Sequence, residues 1–178
     1  SEYSNASSWT LVFVGNKLKY DNSGTWTAVS GTATITTGQD NQWFCEMALD
    51  NAVCTNNTDK PLQVSSTPTK SEVAFTGLSN AVTKAKAIKW FRNYLLFGNT
   101  TENSLNYPTR IRWSNVGTIN TWSDDDYIDL SSLAGDEIIA FEEMYGDLYI
   151  VCRKSVWKVS LVGGDDVFNL VKMIDGIG

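Results

Sequence analysis

The hydrophobic and polar positions of this chain form short apolar runs that are separated by turn residues. The pattern is clearest in residues 137–171, where four apolar runs alternate with polar turns at 145–147, 153–154 and 163–166. Short runs rich in β-branched and aromatic residues, bounded by Gly, Asn and Asp, are typical of strands joined in an up-and-down meander. We therefore predict four antiparallel strands in this segment.

Residues 84–114 follow the same order, with a tight turn at 92–93 and a polar loop at 99–104. The first run of this unit, residues 83–91, is open to two interpretations, because its apolar residues could also line one face of an amphipathic helix. Lysine and alanine alternate there with a period of two, however, and this period favours a strand.

Residues 109–114 show the strongest alternation in the chain. Arg110 and Arg112 alternate with Ile111 and Trp113. Successive side chains of a strand point to opposite faces, so we expect the two arginines on one face and the two apolar residues on the other.

Two weaker strand–turn–strand units precede these, at residues 11–20 and 46–57. Aligning the apolar second strand of each unit places four residues in register: Gly15, Thr55, Gly98 and Cys152. Such anchors recur roughly every 40 to 55 residues, which is the blade period of propeller repeats.

The repeat predicts an all-β fold of β-propeller-like, four-stranded antiparallel blades. A single blade has two apolar faces that it cannot bury alone, so neighbouring blades must cover them. We divide the chain into four units, 1–40, 41–80, 81–123 and 124–178, which form one propeller domain. We expect these units to be part of a larger propeller, and the chain to be a fragment of a longer protein.

Composition excludes several function classes. The formal net charge of -6 argues against a specific nucleic-acid site, because binding phosphates requires a positive field. The chain has no histidine, which removes Ser-His-Asp triads, Cys-His dyads and His-ligated zinc. No apolar run has the length of a membrane-spanning helix. We predict neither a cofactor nor catalytic residues.

The three cysteines, Cys45, Cys54 and Cys152, form no Cys-x-x-Cys pair. Each lies in an apolar or strand-like run, so we expect buried, inert thiols. A disulfide between Cys45 and Cys54 is the less favoured alternative, because an odd count does not indicate a disulfide framework.

Two groups of acidic residues are candidates for chemistry. The run Asp124-Asp125-Asp126, with Asp129, Asp136 and Glu137, could bind calcium, but its spacing does not match an EF-hand, and a solvated loop is the favoured interpretation. Glu142 and Glu143 could serve glycoside hydrolysis, but adjacent residues of a strand point to opposite faces and cannot flank one bond.

Several segments resemble propeller-bearing tail proteins of short-tailed bacteriophages and related prophages. The resemblance covers about the latter two thirds of the chain, from near Cys45 onward. The segments that carry it are TNNTDKPL at 55–62, FRNYLLFGN at 91–99, YPTRIRWS at 107–114, TWS at 121–123, GDEI at 135–138, LYIV at 148–151 and SVWK at 155–158.

The resemblance implies a structural protein of the virion tail, as a hub, nozzle or head-to-tail stabilisation protein that is assembled in the host cytoplasm. The implied partners are other virion tail proteins, in a homo-oligomeric ring. We expect interface charges at Arg110, Arg112, Asp124, Asp125 and Asp126. The alternative hypothesis is a glycan-binding propeller that recognises a host surface glycan.

In the glycan-binding hypothesis, Trp26 and Trp122 stack on sugar rings. Each follows a turn, in Asp21-Asn22-Ser23-Gly24-Thr25-Trp26 and in residues 117–122, and both turns are near misses of a motif found in sialidase-like propellers. We interpret these turns as structural. A hydrolase with a carboxylate pair is the least favoured of the three hypotheses.

Overall fold

The computed structural model describes residues 9–36, 42–131, 134–163 and 167–176. Throughout these ranges the regular elements are β-strands, and none of the described residues lies in a helix. The described strands form four sheets that follow one another along the chain. The prediction of an all-β protein is therefore confirmed.

The first sheet is a three-stranded antiparallel meander, one strand fewer than predicted. It consists of β1 (Leu11–Val14), β2 (Lys17–Asn22) and β3 (Thr25–Ala28). The second sheet combines a short strand that follows the first sheet with a four-stranded meander. Its members are β4 (Ser30–Gly31), β5 (Phe44–Ala48), β6 (Asn51–Thr55), β7 (Leu62–Val64) and β8 (Thr69–Glu72). β4 pairs in parallel with β8, so the connection between the two sheets is fixed at the far edge of the second.

The third and fourth sheets are the four-stranded antiparallel meanders that the sequence predicts. The third consists of β9 (Val82–Phe91), β10 (Tyr94–Glu102), β11 (Leu105–Ser114) and β12 (Trp122–Asp129). The fourth consists of β13 (Ile138–Met144), β14 (Asp147–Cys152), β15 (Ser155–Leu161) and β16 (Phe168–Asp175). Residues 83–91 are thus a strand, and the tight turn at Arg92 and Asn93 is confirmed by positive φ angles of 51° and 65°.

Two predicted boundaries require correction. β12 crosses the division at 123/124 and pairs with β11, so the third unit extends to Asp129. The polar loop predicted at 99–104 is mostly strand, because β10 continues to Glu102 before the chain turns. Residues 1–8 and 37–40 of the first unit, residue 41 of the second and residues 132–133, 164–166 and 177–178 of the fourth lie outside the described residues.

Consecutive sheets pack face to face, with one apolar cluster between each pair. We call the face of a sheet that points to the following sheet its leading face and the opposite one its trailing face. β10 shows both faces, because Leu95 and Phe97 pack toward the second sheet whereas Leu96 packs toward the fourth. A third cluster, which includes Leu18 and Cys54, lies between the first and second sheets. The second and third sheets are therefore buried on both faces.

The first strands of successive sheets lie next to one another, because β9 contacts both β5 and β13. Hydrogen bonds connect them to the preceding sheet. The hydroxyl of Thr55, at the end of β6, donates to the carbonyl of Ala85 at 2.5 Å. The side-chain amide of Asn99 donates in the same way to the carbonyl of Ile138 at 3.2 Å. Each bond connects the second strand of one sheet to the start of the next.

The predicted alignment of the second strands is right for two of the four anchors and wrong for Gly15 and Cys152. Gly15 lies in the turn between β1 and β2 and not in a second strand. Thr55 and Gly98 both lie on leading faces, and a Cβ atom at Gly98 would stand only 2.7 Å from Phe141 and 2.9 Å from Ile138. Cys152 instead packs on the trailing face of the fourth sheet. Its neighbour Val151 is the structural equivalent, because one residue along a strand reverses the face.

The prediction of three free thiols is wrong for two of them. Cys45 and Cys54 are directly opposite each other on β5 and β6 and form a disulfide across the hairpin. Directly opposed residues of antiparallel strands are close enough for such a bond, a pairing that the count of cysteines could not indicate. Cys152 is a buried free thiol, and burial raises its pKa to about 11.

Candidate functional site

A network of charged side chains is buried within the third sheet. Glu102 at the end of β10 is 3% exposed and Arg112 on β11 is 4% exposed. The guanidinium of Arg112 donates to Glu102 through Nε and Nη2, both at 3.0 Å, and the Nη1 of Arg110 donates to the same carboxylate at 3.1 Å. The hydroxyl of Thr100 adds a fourth bond at 2.8 Å. A single carboxylate thus neutralises part of two guanidinium charges.

Three further side chains contact Arg110. Its Nε and Nη2 donate to Asp129 at 2.8 and 2.7 Å, and these bonds raise its pKa. The guanidinium lies between the rings of Tyr107 and Tyr127, at 3.7 and 4.0 Å from their centroids. Guanidinium groups are attracted to aromatic faces, and the effect increases where water is excluded.

These contacts correct the prediction that Arg110 and Arg112 provide exposed interface charges. Both arginines are buried, and Arg112 uses its remaining Nη1 on the carbonyl of Ser123 at 3.0 Å. Their side chains are only 10% and 5% exposed and are paired with acidic residues of the same sheet, so neither arginine presents a free charge at the surface. The alternation of residues 109–114 correctly predicted that both arginines lie on one face of the strand. It could not predict that Glu102 is their partner.

The run Asp124–Asp126 lies in β12 and not in the predicted solvated loop. Asp124 accepts hydrogen bonds from the hydroxyl and amide of Ser79, at 2.6 and 2.9 Å, and these bonds lower its pKa. Asp125 is exposed, whereas burial raises the pKa of the half-buried Asp126. Within the described ranges no group of three or more His, Cys, Asp or Glu residues is placed to hold a metal ion.

The two tryptophans proposed for sugar stacking lie in opposite environments. Trp122 is 2% exposed and stacks on Phe97 in the core between the second and third sheets, so it cannot contact a glycan. Trp26 on β3 is 49% exposed on the trailing face of the first sheet. The sequence could not separate them, because both follow similar turns.

Ion pairs connect the first strands of neighbouring sheets. Glu46 on β5 accepts from Lys89 on β9 at 3.1 Å, and Lys86 on β9 lies 3.4 Å from Glu137, which precedes β13. Arg153 also donates to Glu137 and is the main cause of its lowered pKa. A cavity of about 190 Å³ opens between these three strands. Sequence reasoning missed these pairs, because their members lie far apart in the chain.

The two end faces of the stack remain uncovered. The trailing face of the first sheet exposes Val14 and Trp26, and the leading face of the fourth exposes Val171 and Ile174. Equivalent faces of the second and third sheets are buried against their neighbours. Among the described residues, these two sheet faces therefore have no neighbouring sheet.

No protein-family model matches the chain, and a search of curated proteins gave no significant match. Among the described residues there is also no helix with the length and apolar character needed to cross a membrane.

Proposed function

We propose that this chain is a run of consecutive β-propeller blades from a structural protein of a bacteriophage virion tail, of the hub, nozzle or head-to-tail stabilisation type. The observation that carries the proposal is the repeated face-to-face packing of antiparallel meanders, each buried against the next. The first strands β5, β9 and β13 lie side by side, as the innermost strands of blades do around a propeller axis.

A scaffold role follows from how the sheets are joined. Apolar clusters, ion pairs such as Glu46–Lys89 and the bonds to Ala85 and Ile138 all connect one sheet to the next. Rigid packing of this kind suits a tail component that acts by subunit docking. We place the protein in the virion tail, after assembly in the host cytoplasm, and assign it no enzymatic activity.

Co-expression with the portal and tail-tube proteins encoded in the same genome tests this function. We expect co-purification in a fixed ratio and ring-shaped particles in negative-stain electron microscopy. Absence of the chain from purified virions, measured by mass spectrometry against a known tail protein as the control, would contradict the proposal.

A second candidate function, glycan binding, is favoured by the exposure of Trp26 alone. Indole rings exposed on a rigid strand stack readily on sugar rings. A glycan array followed by titration of tryptophan fluorescence tests this hypothesis, with Trp26→Ala as the variant. If no glycan changes the fluorescence of the native chain, the hypothesis fails. Trp122 is buried and is not expected to respond.

A further inference from the structure

The disulfide of the second sheet joins an exposed cysteine to a buried one. Cys45 on β5 is exposed, whereas Cys54 on β6 is 0% exposed. The side chain of Cys45 lies between those of Trp43 and Met47, along a cavity of about 470 Å³ that opens between β1 and β5. A dissolved thiol or disulfide can therefore reach Cys45 but not Cys54.

Reduction leaves the two cysteines opposite each other, because the rest of the hairpin keeps its register. Four other residue pairs join β5 to β6, from Phe44 opposite Thr55 to Ala48 opposite Asn51. Directly opposed residues of antiparallel strands are close enough to form the bond without movement of the backbone. The disulfide can therefore open and close again within the folded protein.

The proposed life of the protein takes this bond through two redox environments. Cellular thiols keep cytosolic cysteines reduced, and disulfides persist outside the cell. The tail role proposed above places assembly in the host cytoplasm and the finished particle outside it. Exposed disulfides are the ones that thiols reduce readily, so the state of this bond should differ between the two places.

We propose that Cys45–Cys54 is a reversible redox lock on β5, open during assembly in the cytoplasm and closed once the particle meets an oxidising medium. The inference rests on the proposed function for these two environments. To close the lock, the Cys45 thiolate attacks a small disulfide such as oxidised glutathione, which forms a mixed disulfide and releases one glutathione. Cys54 then attacks the sulfur of Cys45 and releases the second glutathione. Two protons and two electrons thus pass from the cysteines to the oxidised glutathione.

The lock acts on the strand that joins the second sheet to the third. β5 has five residues, against ten in β9 and seven in β13, and among the described strands it is hydrogen-bonded to β6 alone. It carries Glu46, which binds Lys89, and Ala48, which packs in the apolar cluster between the two sheets. A covalent bond to β6 limits local opening of β5 and so keeps these contacts in place.

Thiol trapping tests the state of the bond. The chain is expressed in the cytoplasm of a bacterium with a normal glutathione pool and given a short pulse of N-ethylmaleimide before lysis. It is then unfolded, treated with a heavier maleimide and weighed intact. We expect the pulse to label Cys45, and the heavier reagent to label Cys54 and Cys152, which are buried. After incubation with oxidised glutathione, Cys152 alone should react, and only once the chain is unfolded.

Hydrogen exchange measured by mass spectrometry tests what the lock does. Exchange in residues 44–48 should be slower by about tenfold or more in the oxidised chain than in the reduced chain, and exchange in β13 should be the same in both. Cys45→Ser should exchange like the reduced chain in either medium. The matched control, Cys152→Ser, removes the cysteine outside the bond and should still respond to oxidised glutathione.

Three results overturn the inference: a bond that is already closed in the cytoplasm, a chain that stays reduced in oxidised glutathione, and equal exchange of β5 in both states. The outcome is separable from the proposed function. A chain that is found in virions, but with its bond closed before lysis of the host, removes the lock and leaves the tail role in place. A chain that opens and closes as expected but is absent from virions keeps the redox response of β5 and removes the tail role.

Discussion

Replacing Glu102 by glutamine tests whether the buried network holds the third sheet together. The change keeps the shape of the side chain and removes its charge. Arg110 retains Asp129, but Arg112 loses its only carboxylate partner and is left with neutral acceptors, the amide oxygen of the new glutamine and backbone carbonyl groups, at a position that is 4% exposed. Removing one partner of a buried pair costs about 3–5 kcal/mol, because the other charge stays buried without compensation. Most of this cost is expected to fall on Arg112.

The matched control is Asp129→Asn, which removes the second carboxylate of the same network. The side chain of Asp129 is 47% exposed, and Arg110 keeps its bond to Glu102 after the change. Water can compensate for the lost charge at this position, so we expect a cost of only about 1 kcal/mol. The two variants thus separate the effect of burial from the effect of charge.

Urea unfolding followed by tryptophan fluorescence measures both changes. A protein of this size has a stability of about 5–15 kcal/mol, so Glu102→Gln should remove a large share of it. We expect its melting temperature to fall by about 10 °C, against a few degrees for Asp129→Asn. Equal costs for the two variants, or a larger cost for Asp129→Asn, would show that the network does not depend on the buried carboxylate.

Four further changes test other contacts. Gly98→Val should destabilise the packing of the fourth sheet by about 1–3 kcal/mol, because the new side chain collides with the ring of Phe141. Adding Phe141→Ala should restore part of this loss, as measured by thermal unfolding. Reducing Cys45–Cys54 should lower the unfolding free energy by about 3 kcal/mol in urea, unless the reduced hairpin stays ordered in the unfolded chain. The pKa of Glu137 is lowered in the folded protein, so its carboxylate stabilises the fold at any pH above its pKa in the unfolded chain. This stabilisation is lost as the pH falls through the pKa of the folded state. Glu137→Gln should therefore reduce the unfolding free energy at pH 7 and make it depend less on pH in acid. Burial raises the pKa of Asp126, so its ionised form destabilises the fold at pH 7. Asp126→Asn should therefore increase the unfolding free energy at pH 7. A decrease would contradict the raised pKa.

The sequence predicted the strands where the pattern is local. The meander of residues 137–171 and the strand at 83–91 follow from alternation and turn residues, which act over a few positions. The error at 123/124 has a physical cause. Three consecutive aspartates are typical of a solvated loop. β12, however, is an edge strand of the third sheet, and charged side chains of an edge strand can reach water.

The candidate site was less predictable, because it depends on which strands meet. Arg112 and Glu102 are ten residues apart and come together only through the turn between β10 and β11. The pair Glu46–Lys89 spans two sheets. Local patterns assign a face to each residue, but they do not identify the partner across the interface.

The composition of a strand nevertheless indicates how many faces of its sheet are covered. Leu95, Leu96 and Phe97 form a continuous apolar run in β10, and all three are fully buried because the third sheet has a neighbour on each side. β2 alternates Lys17, Leu18 and Lys19, and only the leucine is buried. β14, in residues 148–152, is continuous like β10, although only its trailing face has a described neighbour. A strand that is exposed to solvent on one face does not need apolar residues on that face. The fourth sheet therefore carries the sequence of an interior sheet.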